Sequence, residues 1–555
     1  MILCNMAEKI VNGKLWSRLT GFLLFFLIAY TWAAPFRDIY GLEVRNALMA
    51  REMLENGLSI IPKALGHYYP DYMPLYFWME TLFSIPAARV STFSAALPSA
   101  LSAAGLLALT FCLGRRISIH TGWLSALILA VIPSFWLNAG SAAIDMLLAF
   151  WVTTVILCFY YSDVASNAKR RKVYAWGAFF SLLAAFMVKG AIGIVLPTIS
   201  WGGYLLLNRR LRDFFSFSVA MMAVGLLCVG LELSLAYKAG GKELVGGIIR
   251  MQVIGRLQQA NKPFFYYFIS LLEIGSLWWV LSIAGLGVMV NEGLSKEKVF
   301  NFRKLLAAHP VNRLALMWFI AVFSVFSFAA TKHARYLLPL YPAAAILFAA
   351  WLQHFFIENS PFRTTRTQNV MIFSSIVILS VGIALYFLSE RFRAVPAGYM
   401  IIWLVAGIAG ITLVTRWIKP SYRLIGSTLL FLSVGLSGTD LLITPELSHR
   451  ASAHAFVTAA ESSVDPQLPV VICGLGRDGD ALKYIFYSSR SSTAIRFVDS
   501  LEELNLLPES CLLITPFTDK IGLLTDRDIR KVAKGNIRSK GLYAYLLGSK
   551  QNSGS

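Results

Sequence analysis

Charge is what this chain has least of. Charged residues fill 14% of its 555 positions, and acids are the rarer sign, 30 Asp and Glu against 50 Lys and Arg. A soluble domain carries about 25% charged residues. With 57% hydrophobic residues and a mean hydropathy of +0.62, a soluble globular protein is excluded. Cysteine is scarce too: Cys4, Cys112, Cys158, Cys228, Cys473 and Cys511 have neither metal-ligand nor disulfide spacing. Those in or beside the apolar part read as small core residues. Also missing are polar residues at the centres of most apolar runs and any repeat between halves, the marks of many transporters. The net charge of +20 does not point to nucleic acid, because the cations come in short clusters between apolar runs.

What is present is a series of apolar runs able to cross a hydrocarbon core of about 30 Å, which takes about 20 helical residues. Spans are expected at 17–35, 94–114, 120–138, 144–162, 173–188, 190–207, 214–237, 266–290, 311–330, 336–357, 369–388, 398–416 and 422–442. The stretch 75–90, interrupted by Glu80 and Pro86, is better placed as re-entrant or interfacial. Lys9, Lys14 and Arg18 before the first run could mark a signal peptide, but Pro35 after Ala33-Ala34 is a poor cleavage setting. A retained first helix is expected instead. Basic clusters at 115–116, 169–172, 209–212, 296–304, 363–366 and 416–423 fall at every second loop. The positive-inside rule then makes these loops and the N-terminus cytoplasmic. The expected architecture is an α-helical polytopic membrane domain of about 13 transmembrane helices over 1–445, with an outer-face loop at 36–93. A small exported α/β domain follows over 446–555, outside the inner membrane.

This topology gathers the unusual polar groups on one face. The segment 43–57 puts Leu48, Met49, Met53 and Leu54 on one side of a helix and Arg51, Glu52 and Glu55 towards the other, so it reads as a helix lying in the headgroup plane. Asp145 opens an apolar run, where a carboxylate faces a wet cavity or a partner, or simply suits a helix N-terminus. Lys189, with no charge near it in sequence, needs an anion, and phosphate is a natural one; snorkelling at a helix junction is the plainer alternative. Lys332, His333 and Arg335 at an outer interface suit a lipid phosphate or pyrophosphate. Asp71 could bind a sugar hydroxyl, act as a base, or cap the helix that follows. The aromatic run 264–267 after Asn261-Lys262-Pro263 reads as an interfacial belt.

In order, these motifs resemble membrane glycosyltransferases of the GT-C fold, in the group holding the lipid A aminoarabinose transferase and bacterial relatives of protein O-mannosyltransferases. That group's Asp-Glu-x-Arg motif reads Leu42-Glu43-Val44-Arg45 here, with leucine in place of the first acid. Its Glu-Lys-Pro-Pro-Leu-Tyr segment reads Asp71-Tyr72-Met73-Pro74-Leu75-Tyr76, without the lysine, while Asp145 and Lys189-Gly190 match. The resemblance implies a polyprenyl-phosphate-sugar donor and an envelope acceptor: a lipid A-like glycolipid, a glycan or a protein. Arg45, Lys189 and Arg335, helped by Lys332 or Arg256, would neutralise the phosphate; Glu43 would be the base, with Asp145 or Asp71 orienting sugar or acceptor. No cofactor is implied and no metal-ligand set stands out. Leu42 points to a phosphate-like acceptor that needs no base, or to Glu43 in that role. The alternatives are a transporter or flippase for a lipid-linked sugar, or a catalytically impaired scaffold.

In the last domain, a strand at 470–473, then Gly474-Leu475-Gly476-Arg477-Asp478-Gly479, a helix and a second strand ending at Asp499 imitate a dinucleotide fingerprint. An exported domain too small for a full doubly wound sheet argues instead for a docking or acceptor-facing role.

Overall fold

The computed structural model describes residues 13–39, 41–254, 262–271, 309–353, 365–388, 396–418, 423–444, 453–475, 480–491, 495–499, 503, 510–517, 528–537 and 540–548. The N-terminal part is helical: α1 (Gly13–Thr31), α2 (Leu42–Asn56), α3 (Leu75–Ser84), α4 (Thr92–Gly114), α5 (Ile119–Ala130), α6 (Pro133–Ala139), α7 (Ile144–Asp163), α8 (Ala168–Lys189), α9 (Ile192–Leu207) and α10 (Leu211–Ile249). After a stretch outside the described residues come α11 (Pro310–Phe328), α12 (Tyr341–Leu352), α13 (Thr365–Leu388), α14 (Ala397–Thr412) and α15 (Arg423–Gly438). Among the described residues nine helices are long and apolar enough to cross a membrane, ten if α5 and α6, bent by 70° at Pro133, count as one span. Two shorter apolar helices, 192–207 and 372–387, coincide with two further expected spans. The expected span at 266–290 lies mostly outside the described residues.

Three local details position the functional face. Helix α3 has ten residues, a rise of about 15 Å, too short to span, which agrees with leaving 75–90 out. Helix α10 runs past the expected end at 237 to Ile249, broken at Gly240 and Gly241. Gly241 has φ 64° and ψ −155°, a backbone state that only glycine adopts without strain. Ser99 Oγ accepts from the Ala143 amide (3.0 Å) and donates to its carbonyl (3.1 Å), so α4 anchors the residue that opens α7.

Helix α2 forms where expected but does not lie on a lipid surface. Val44, Ala47, Leu48 and Ala50 are buried in a core shared with the C-terminal domain, while Met49 and Met53 enter the helical core. The apolar side is thus covered by protein, and on the polar side Arg51 and Glu52 are engaged as well, while Glu55 stays exposed. Arg51 donates to the carbonyls of Ile485 (2.7 Å), Ser488 (3.1 Å) and Arg490, and Glu52 accepts the Gly66 amide.

The C-terminal domain carries α16 (His454–Ser462), α17 (Asp480–Tyr487) and strands β3 (Val470–Cys473), β4 (Ile495–Val498), β5 (Cys511–Thr515), β6 (Ile529–Ile537) and β7 (Lys540–Leu547); β1 (Lys63–Ala64) and β2 (His67–Tyr68) form a separate small hairpin. The sheet order is β4-β3-β5-β7-β6. β3 pairs parallel with β4 and β5, and β7 antiparallel with β5 and β6. The mixed sheet departs from a dinucleotide fold, and α17 faces α2: Lys483 and Tyr487 both bond the Asp38 carboxylate. Gly476 and Gly479 lie outside the described residues. Cys158, Cys228, Cys473 and Cys511 are buried free thiols, while Cys112 is disulfide-bonded, which its spacing did not announce.

Candidate active site

The site is assembled from helix ends. Asp145 lies in the first turn of α7 and Lys189 is the last residue of the neighbouring α8. An acid at a helix N-terminus and a cation at a C-terminus are each favoured by the backbone dipole, and antiparallel packing brings the two together. Gly190, at φ 65°, ends α8 directly after the lysine. Lys189 Nζ bonds Asp145 Oδ1, and both residues are about 5% exposed. Arg335 Nε bonds the other oxygen, Oδ2, at 3.0 Å. The ring of Tyr336 lies 4.1 Å from Lys189 Nζ. The anion that Lys189 needs is thus supplied by the chain itself, and the trio of one carboxylate and two cations keeps one net positive charge. Arg335 Nη2 is buried and has no hydrogen-bond partner among the described residues.

A cavity of about 220 Å³ opens beside this trio, lined among others by Leu42, Glu43, Asn46, Tyr72, Ser141, Asp145 and Arg335. Asn46, one turn after Glu43, donates to the Ala142 carbonyl (3.0 Å) and ties α2 to the segment before Asp145. Tyr72 is held protonated, its pKa raised by burial and then by Asp71 and Asp145, so its hydroxyl remains a donor. A second, apolar cleft between residues 60–73 and α10 also includes Tyr72.

The other expected site residues divide. Glu43 lines the cavity but is gripped by Arg37, with contacts of 2.9 and 3.3 Å. Arg45 Nη1 donates to Tyr69 Oη (2.6 Å), and the guanidinium lies 5.2 Å from that ring. Lys332 is buried, and its ammonium donates to the Ala329 carbonyl. Asp71 is half-buried in the turn before α3. It does not cap that helix, whose N-cap is Pro74 with no side-chain bond. Arg256 lies outside the described residues. His333 is held below its ordinary pKa of 6.5, by burial first and then by Arg335. Arg37, Asn46, Tyr69, Asn138, Ser141 and Asp440 were not singled out in the sequence. Of these only Asp440, a lone acid at the end of the apolar run 422–442, carried a signal of the kind used for Asp145.

Residues 48–237 match the model of the dolichyl-phosphate-mannose-protein mannosyltransferase family. That stretch includes Asp145 and Lys189. The chain is 26% identical over 410 residues to the undecaprenyl phosphate-alpha-4-amino-4-deoxy-L-arabinose arabinosyl transferase of Shewanella sediminis, a match covering 71% of this chain and 70% of that one. It is 26% identical over 326 residues to the protein of the same name from Pectobacterium carotovorum, covering 56% and 54%. In this second case it spans only about half the relative's length. Among solved structures, ArnT from Cupriavidus metallidurans bound to undecaprenyl phosphate superposes with a TM-score of 0.70 at 18% identity, over 96% of this chain and 98% of that one. Its apo state gives 0.69. The fold is therefore ArnT-like, a multi-span helical membrane protein with a small C-terminal mixed sheet. The resemblance to membrane glycosyltransferases of the GT-C fold holds in sequence, family model and fold.

Proposed function

We infer that this chain, a relative of the GT-C membrane glycosyltransferases, transfers a sugar from a polyprenyl-phosphate-linked donor to an envelope acceptor at the outer face of the inner membrane. One observation carries the reading: Arg335 spends its Nε on Asp145 and holds a second, buried N–H donor at Nη2 with no partner among the described residues. A buried donor without an acceptor costs about 1–3 kcal/mol. Arg335 also lines the adjoining cavity, its side chain 27% exposed, so a phosphate oxygen there would give the guanidinium a further acceptor. The names of the sequence relatives, which carry undecaprenyl phosphate in the donor, support the same chemistry.

In this reading the cation pair Lys189 and Arg335 stabilises the negative charge that grows on the leaving phosphate, and burial keeps that effect strong. Asp145 holds both cations at a fixed spacing, so no reorganisation is needed as charge develops. Tyr72, on the wall of the same cavity as Asp145 and Arg335, offers a hydroxyl to the sugar or the phosphate. Arg45, its guanidinium over the Tyr69 ring, is a further cation on the same helix as Glu43. A lipid A-like glycolipid, a glycan and a protein are all acceptors of the expected kind. The basic loop clusters support placing the C-terminal domain and the site outside, with the N-terminus in the cytoplasm.

The test is mass spectrometry of envelope lipids and glycans from cells lacking the protein, complemented with wild type, Asp145→Asn or Lys189→Met. A sugar-sized mass that returns with wild type only is expected. Transfer at wild-type level by both variants, each present in the membrane, would overturn the site. No change in any fraction would point to the transporter or scaffold.

A further inference from the structure

A second cavity, of about 270 Å³, adjoins the first and shares Glu43, Asn138 and Ser141 with it. It lies on the side of α1 and α15, and it brings Asp440, from the turn after α15, to the same wall as Arg37 and Glu43. Asp440 Oδ2 accepts from Trp136 Nε1 at 2.5 Å. Two cavities that meet at a common wall suit two substrates that meet there.

Resting on the sugar-transfer reading above, we propose that this second cavity receives a neutral hydroxyl of the acceptor, and that Asp440 is its general base. The lining charges decide the acceptor class. Arg37, Glu43 and Asp440 sum to one negative charge, and Arg37 is already committed to Glu43. A phosphate acceptor would bring further negative charge into a wall that is already net negative, which disfavours it by like-charge repulsion. A hydroxyl brings none and needs a carboxylate to take its proton. The loss of an acid at Leu42 is thereby answered from the opposite side: Leu42 lines the first cavity, while Asp440 faces the second. Glu43, locked by the Arg37 guanidinium, is the poorer base of the two. This reverses the sequence-based preference for a phosphate-like acceptor.

The step balances. The acceptor oxygen bonds the anomeric carbon as its proton passes to the Asp440 carboxylate. The bond from that carbon to the phosphate oxygen breaks, and its electron pair leaves with the polyprenyl phosphate into the cavity that Arg335 lines. Attack from one cavity and departure into the other is a single displacement, which inverts the anomeric centre.

The experiment uses the full-length protein. Envelope material from complemented cells is treated with mild acid, which cleaves glycosyl phosphates and spares glycosides of hydroxyl groups. The wild-type product should survive. Asp440→Asn, which keeps the shape and an acceptor for Trp136, should lower transfer by about 100-fold or more, while the purified variant binds undecaprenyl phosphate as wild type does, measured by native mass spectrometry. A product released by mild acid, full transfer by Asp440→Asn, or loss of undecaprenyl phosphate binding in that variant would each overturn the proposal and leave the sugar-transfer reading standing. If wild type adds no sugar at all, the sugar-transfer reading fails first and this one with it.

Discussion

Asp145 illustrates how much a single buried charge depends on its partners. Its carboxylate is bonded on one oxygen by Lys189 and on the other by Arg335, so removing one cation leaves a neutral pair, whereas removing the carboxylate strands two neighbouring cations, at a cost of about 3–5 kcal/mol. His333, beside Arg335, supplies a pH-dependent term. Its pKa is lowered in the fold from 6.5, so the neutral form is the one the fold favours. The stabilisation is present above pH 6.5 and is lost as pH falls through the lower folded value, because the unfolded chain binds the proton first. Wild type should therefore lose thermal stability between pH 7 and 5 more steeply than His333→Gln, measured by Tm in detergent; parallel curves would contradict this. Glu80 lies at the other extreme. Both its oxygens are buried without a hydrogen-bond partner among the described residues, and burial, with Glu43 nearby, raises its pKa well above 4.5. A neutral acid in that place gains nothing from ionising, so Glu80→Gln is expected to keep full transfer activity and to leave Tm unchanged or higher. A lower Tm would mean that the charge is used.

At the scale of elements, α2 is the hinge of the design, since it carries Glu43 and Arg45 and is clasped by α17. The clasp is a buried pair, Lys483 with Asp38, each about 2% exposed in its side chain, joined by Tyr487. Asp38 directly follows Arg37, the residue that grips Glu43. Lys483→Met strands a buried carboxylate and should destabilise docking by about 3–5 kcal/mol, seen as faster proteolysis of the C-terminal domain in membranes. The double variant Lys483→Met/Asp38→Leu should recover most of that loss, because it removes both charges together. If the double variant is as labile as the single one, the pair is not what holds the domain. That clasp was invisible in the sequence, for 445 positions separate its partners. Helix α2 itself was legible from its apolar period. The face expected to meet lipid instead meets protein, because periodicity says which residues are buried and not what buries them.

For the whole molecule, the C-terminal domain, α2 and the cavities occupy one end of the bundle, so a single measurement orients them all. Cysteines introduced at Ser463 in the C-terminal domain and at Ser166 in the loop before α8, both exposed, should differ in intact cells. A membrane-impermeant maleimide is expected to label the first and spare the second; the reverse pattern would invert the topology read from the basic loops. The sequence by itself determined that the chain crosses the membrane many times, roughly where each helix runs, and that Asp145, Lys189 and Arg335 stand out. It could do so because apolar length and isolated charge are local properties whose cost in lipid is large. Only the tertiary structure decided that these three form one cluster, that Glu43 is committed to Arg37, that Lys332 answers a backbone carbonyl, and that Asp440 and Trp136 face the same wall as Glu43. Those pairings join residues far apart in the chain, and they exist because antiparallel helix packing brings the ends of separate helices to one face, a geometry that no local pattern encodes.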